Sequence, residues 1–196
     1  YNTVRSPRSY NSQIGVPLSV WQIGSKTEMA IFEAGISQPD EMIHLEEIIK
    51  PTLGLITNIG EAHQEGFQTI QQKCIEKLTL LKACDCIIYD GDNELICECV
   101  EKLCFGCREI AWSRKDRDKP LYISKIIKGN DSTKIEYTYL QYHSYITIPF
   151  VEDASIENAL NCLAACLYLM TPADQITERM ARLEPIAMRL EVKEGK

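Results

Sequence analysis

The side chains best suited to chemistry fall in one short segment, Thr57-Asn58-Ile59-Gly60-Glu61-Ala62-His63-Gln64-Glu65-Gly66-Phe67, and on the helix expected to follow it as far as Lys77. Just upstream, the run Thr-Leu-Gly-Leu-Ile at 52–56 is short and apolar, the pattern of a strand buried on both faces of a parallel sheet. Ligands of open α/β sheets bind in the crevice beyond the carboxyl ends of the strands. That rule places Thr57, Asn58 and His63 where a ligand would lie. A second strand, Glu28-Met29-Ala30-Ile31-Phe32-Glu33, runs into Ala34-Gly35 and brings the Glu33 carboxylate to the same edge.

Thr69 to Gln72 fits a capping box, which starts the next helix there. At ~100° per residue, Ile70, Cys74, Leu78 and Leu81 share one apolar stripe, and Lys77 lies about 20° from Ile70 within it. Two explanations of a lysine in an apolar stripe stand side by side. Its stem can be buried while the ammonium reaches water, or a sheltered amine can lose its proton and be modified or act beside a ligand.

The elements that must position these groups follow from pattern. Residues 1–15 are rich in Asn, Ser, Arg and Pro, Arg5 to Gln13 reads as a donor-rich loop, and Val16-Pro17-Leu18-Ser19-Val20-Trp21 then starts a helix. Residues 39–50 suit an amphipathic helix with Asp40 and Glu41 in its first turn and Lys50 in its last, stopped by Pro51. Cys86 to Asp90 suits a strand, and Gly91-Asp92-Asn93 caps a helix from Glu94 to about Leu103, with Asp92 and Asn93 as cap residues rather than ligands. A short strand at 108–111 precedes three strands between 121 and 149, separated by turns at Gly129-Asn130-Asp131 and near Gln141 to Ser144. Helices over 155–170 and from Pro172 to about Leu183 complete the pattern. Strands alternating with helices predict an α/β fold with a largely parallel, right-handed sheet and an antiparallel appendage at 121–149.

The chain has 196 residues, of which 45% are hydrophobic, enough for one core. No apolar run approaches the ~18 residues of a membrane span and no signal segment opens the chain, so a soluble, cytoplasmic protein is expected. A net charge of -7 argues against a nucleic-acid surface but leaves room for a small anion where Arg5, Arg8, Arg189 or lysines gather. Nine cysteines without secretory context read as reduced thiols, and the single CxxC, Cys104 to Cys107, lacks a second ligand pair for zinc.

The blocks Tyr10-Asn11-Ser12-Gln13-Ile14-Gly15-Val16-Pro17, Phe32-Glu33-Ala34-Gly35, Thr57 to Phe67, Glu157-Asn158-Ala159-Leu160-Asn161 and Met188-Arg189-Leu190-Glu191 together resemble the central domain of the Mur ligase family. Within it they are most similar to the branch that adds D-alanyl-D-alanine. The resemblance implies a three-layer α/β central domain over residues 1–196 and an ATP-dependent amide ligase of peptidoglycan synthesis. ATP, two Mg²⁺ ions and a lysine carbamoylated by CO2 are implied as cofactors, with UDP-MurNAc-tripeptide and D-Ala-D-Ala as substrates. In the family, residues matching Glu33 and His63 help hold the metals, and a lysine 14 residues after the histidine is carbamoylated; Lys77 stands 14 residues after His63. The resemblance also assigns Asn158 to the nucleotide and Arg189 to its phosphates, with Thr57 and Asn58 beside them. Asn11 and Ser12, with Arg8, are assigned to the UDP-sugar peptide, whereas Asn161 could equally cap a packing contact.

One departure is plain. The phosphate-binding loop of the family, G-x-x-x-x-G-K-[ST], is absent from these residues. It is expected upstream of Tyr1 and the family's C-terminal ligase domain after Lys196, in some members followed by a fused alanine racemase, so these residues alone are expected not to ligate. Another Mur or folylpolyglutamate-type ligase, and a non-catalytic binding module of the same fold, are the competing expectations.

Overall fold

In the computed structural model, residues 1–7, 9–60, 66–103 and 105–184 are described. Arg8, His63, Cys104 and Arg189 therefore lie outside the described residues. The elements are β1 (Thr3–Arg5), α1 (Gly15–Val20), β2 (Met29–Ile31), α2 (Glu41–Ile49), β3 (Leu53–Leu55), α3 (Ile70–Thr79), β4 (Cys86–Asp90), α4 (Glu94–Leu103), β5 (Arg108–Ser113), β6 (Leu121–Lys128), β7 (Thr133–Tyr139), β8 (Tyr142–Ile148), α5 (Asp153–Tyr168) and α6 (Ala173–Met180). Strands β1 and β2 pair in parallel as a small sheet, and β3 to β8 follow one another in a six-stranded sheet. The α/β architecture is as expected. The antiparallel appendage is the far half of the main sheet, because β6 pairs in parallel with β5 before β6, β7 and β8 run antiparallel. Only Trp112 and Ser113 pair with Leu121 and Tyr122, so the chain steps from one parallel strand to the next through a short loop instead of a long crossover.

The chain divides into two compact units. The first holds residues 1–87 and 93–109. Its core gathers Val16, Ile36, Met42, Leu45 and Phe67, with Val20, Ala34, Ile49 and Leu80 packed against them. The start of α3 obeys its sequence: the Thr69 hydroxyl accepts from the Gln72 N–H at 3.0 Å, while the Gln72 amide oxygen accepts from the Gln68 N–H at 2.9 Å. The second unit holds residues 88–92 and 110–196, and its described core is built from Trp112, Leu121, Ile135, Ile146, Ile156, Leu160 and Leu163.

Four local expectations are corrected. Strand β1 takes in Arg5, the first residue of the expected loop, and its three residues are too few to show a period. Strand β3 is not buried on both faces, since Gly54 is buried while Leu55 is exposed. Lys50 is not in the last turn of α2 but is its left-handed cap, with φ 46°. The second hairpin turn lies at Leu140, with φ 55°, because Tyr139 already pairs with Tyr142 and the residues from Tyr142 to Ser144 belong to β8.

Gly66 shows how tightly the segment before α3 is folded. A Cβ there would run into the Ser37 carbonyl oxygen, a backbone atom that cannot swing aside. Gly66→Ala is therefore expected to destabilise the protein by about 1–3 kcal/mol, as overpacking does, read as a lower urea midpoint at unchanged slope.

Candidate active site

In the first unit the sequence candidates lie on three loops and on α3, and the structure joins two of those loops, at Asn11 and at Glu33 to Gly35. Glu33 stands two residues beyond β2 and is exposed, and its Oε1 accepts from the Asn11 side-chain amide at 2.9 Å. The Asn11 carbonyl also accepts from the Gly35 N–H at 2.7 Å, so the loop at 11 is stitched to the loop at 33–35 on both sides of the carboxylate. Ser12 is used locally, since its hydroxyl accepts from the Gly15 N–H at 3.1 Å and starts α1. Thr57 and Asn58 are exposed just past β3, in agreement with a place beyond a strand end.

Lys77 is half-buried in the last turn of α3. Burial first, and then the neighbouring Lys73 charge, push its amine below the usual lysine range, while Cys74 and Glu33 pull the other way. A half-buried lysine is compatible with both explanations open from sequence, the buried stem with its ammonium in water and the sheltered amine. Sequence reasoning passed over Lys73 itself. Its side chain is 2% exposed and its ammonium donates to the Gly60 carbonyl at 2.6 Å. The signal was present, because Lys73 falls about 40° from Lys77 on the same sector of the helix.

The second unit holds a separate group. Asn158 is exposed on α5, whereas Asn161, one turn later, is 2% exposed and accepts from the Trp112 indole N–H at 2.9 Å. Arg114 lies over the Trp112 ring, 5.5 Å from its centre, and pairs with Glu157 at 3.2 Å. Asp92 does not cap α4. Its carboxylate accepts from the Ser113 hydroxyl and the Arg114 N–H, and Asn93 alone serves as the cap, accepting from the Ile96 N–H at 3.2 Å. Beside it, burial raises the Asp90 carboxyl above the usual carboxylate range, against the Asp92 N–H bond that lowers it.

The pattern of the Mur ligase middle domain matches residues 1–166. The chain belongs to the Mur ligase family. The UDP-N-acetylmuramoyl-tripeptide–D-alanyl-D-alanine ligase of Bacillus subtilis is 24% identical to it over 195 residues, 98% of this chain and 41% of that protein. Among solved structures, MurF from Acinetobacter baumannii superposes with a TM-score of 0.85 at 19% identity, over 98% of this chain and 42% of that one. MurF from Thermotoga maritima, solved in complex with ADP, gives 0.81 at 18% identity over 100% of this chain and 45% of that one. The chain thus spans about two fifths of the length of these relatives.

In this Mur ligase domain the eight described cysteines are all free thiols, and burial pushes Cys84 up to about 12 and Cys86 to about 11, the values of inert core thiols. No helix among the described residues is long and apolar enough to cross a membrane.

The two asparagines of α5 are expected to separate in mutagenesis. Asn161→Ala strands the buried Trp112 N–H and should cost about 1–3 kcal/mol, while Asn158→Ala should stay within about 0.5 kcal/mol of the parent in the same urea titration. The raised Asp90 carboxyl gives a pH-dependent test. A carboxyl whose folded pKa lies above its unfolded value weakens the fold once pH passes the folded value, and the penalty disappears as pH falls below the unfolded one. Asp90→Asn should therefore raise the thermal midpoint at pH 7, and the gain should vanish below the ordinary aspartate value of 3.8.

Proposed function

We propose that this chain is the middle domain of an ATP-dependent ligase that joins D-Ala-D-Ala to UDP-MurNAc-tripeptide in the cytoplasm. The observation that carries the proposal is the grouping of Glu33, its Asn11 tether and the half-buried Lys77 in one unit. Mg²⁺ takes hard oxygen ligands. The donor set suits it, because the Glu33 carboxylate is exposed and within electrostatic reach of Lys77, whose amine is held below its usual range. Carbamoylation of that amine by CO2 would replace a cation by two further oxygens. On this proposal Glu33, Lys77 and His63 hold two Mg²⁺ ions, which when bound would offset the charge of the nucleotide phosphates.

The chain's own side chains then act by placement. Asn11 keeps the Glu33 carboxylate turned toward one position, and Asn11, Ser12 and Arg8 face the UDP-sugar peptide. Thr57, Asn58, Asn158 and Arg189 serve the nucleotide. The terminal carboxylate of the peptide attacks the γ-phosphate of ATP, giving an acyl phosphate and ADP, and the amine of D-Ala-D-Ala then takes the acyl carbon as phosphate departs. Positioning and charge neutralisation supply most of the catalysis in such transfers.

Phosphate release by the whole protein tests this, with ATP, Mg²⁺, UDP-MurNAc-tripeptide and D-Ala-D-Ala as substrates. Lys77→Ala is expected to lower turnover by roughly 10²- to 10³-fold, the scale of losing one charged group at a transfer site, with partial recovery on adding a short-chain carboxylate. Release from this mixture by the wild type and not by Lys77→Ala supports the proposal. No release with any muramoyl peptide refutes it, leaving a folylpolyglutamate-type substrate or a binding role.

A further inference from the structure

The loop at residue 11 does more than restrain Glu33, because it occupies one particular oxygen of the carboxylate. The Asn11 amide donates to Oε1 at 2.9 Å, and among the described residues no other hydrogen bond or ion pair reaches that carboxylate. Oε2 is the oxygen left for a ligand on this exposed side chain. The donor is itself fixed. The Asn11 N–H donates to the Ser9 carbonyl at 2.8 Å and the Asn11 carbonyl accepts from the Gly35 N–H at 2.7 Å, so the backbone of residue 11 is held from both sides. Gly35 makes room for the amide, since a Cβ there would stand 3.3 Å from both Cγ and Nδ2 of Asn11. A hydrogen bond to an ionised carboxylate is among the stronger ones and is not given up without cost.

Divalent cations differ in what they ask of a carboxylate. Ca²⁺ takes about six to eight oxygens in flexible geometry and readily uses both oxygens of one carboxylate, whereas Mg²⁺ demands near-ideal octahedral geometry and keeps several waters. Two oxygens of one carboxylate subtend too narrow an angle for an octahedral ion. We propose that Asn11 is a specificity-determining residue of the metal site: by keeping Oε1 of Glu33 engaged, it restricts the carboxylate to one metal bond, through Oε2, and so favours Mg²⁺ over Ca²⁺. The inference rests on the metal site assigned to Glu33 under the proposed function and adds a basis for its choice of cation. Ca²⁺ can use both oxygens only by displacing the Asn11 amide, whereas Mg²⁺ binds with that bond intact. The bonds to Ser9 and Gly35 belong to the backbone, so replacing the side chain at position 11 removes the amide and keeps the loop's main-chain ties.

The test is cation competition on the whole protein, without nucleotide or peptide. Mn²⁺, which shares the preference for oxygen ligands, is bound and followed by its EPR signal, then displaced by Mg²⁺ or by Ca²⁺. Wild type, Asn11→Ala, Asn11→Leu and Glu33→Gln are compared, the leucine keeping the bulk of the asparagine without its donor. Glu33→Gln should weaken Mn²⁺ binding, which assigns the signal to this carboxylate. In both Asn11 variants the Ca²⁺ concentration for half-displacement, relative to that of Mg²⁺, should fall about tenfold, the scale of one charge-assisted hydrogen bond. A merely structural role would weaken both cations together, so a ratio that does not fall overturns the selectivity role while the metal site stands. If wild type holds no Mn²⁺, or Glu33→Gln binds it as well as wild type does, the metal assignment of Glu33 falls and the inference with it.

Discussion

A lysine ammonium withdrawn from water must find oxygen, and in this protein that requirement fixes the position of a loop. Lys73 on α3 reaches the carbonyl of Gly60 at 2.6 Å, which ties the segment after β3 to the helix that follows it. Its neighbours reinforce the tie. Thr69 caps the first turn, Gly66 lacks the side chain that would meet the Ser37 carbonyl, and Phe67 is buried with Met42 and Leu45. A loop held at both its backbone and its helix can present exposed side chains such as Thr57 and Asn58 without being free to collapse.

The same economy holds at the loop carrying Glu33. An exposed carboxylate on a loop would normally sample many rotamers, and its contribution to a site would be diluted accordingly. Asn11 narrows that range with one amide, and its carbonyl bonds to Gly35 so that the anchor is itself anchored. The close approach of these loops explains the glycine, since a Cβ at Gly35 would press on the Asn11 side chain at 3.3 Å.

Much of this was legible in the sequence where local rules decide. The start of α3 follows from Thr69 and Gln72, the full extent of β4 from Cys86 to Asp90, and α4 from Asn93 and its apolar period. What escaped depends on partners distant in sequence. Strand β1 exists because Thr3 to Arg5 lie beside Met29 to Ile31, and nothing in three residues announces that. Asp92 has the type and place of a cap, yet its carboxylate is taken by Ser113 and Arg114 from across the unit. Asn158 and Asn161 are alike as letters, and burial alone makes the second a partner of Trp112. For the site, Glu33 and Lys77 could be singled out, but the Asn11 bond and the burial of Lys73 against the Gly60 carbonyl required coordinates. Arg8, His63 and Arg189 lie outside the described residues, so their placement rests on sequence alone.

The charge of the chain gives the proposed chemistry a built-in order. The protein already carries a net charge of -7, and a carbamate at Lys77 beside Glu33 would add an anionic face where a polyphosphate is meant to approach. On the proposed function these charges would repel one another, and a cation between them would reverse the sign. Nucleotide and divalent ion would then bind interdependently, because each lowers the electrostatic cost of the other, and linkage makes that benefit mutual.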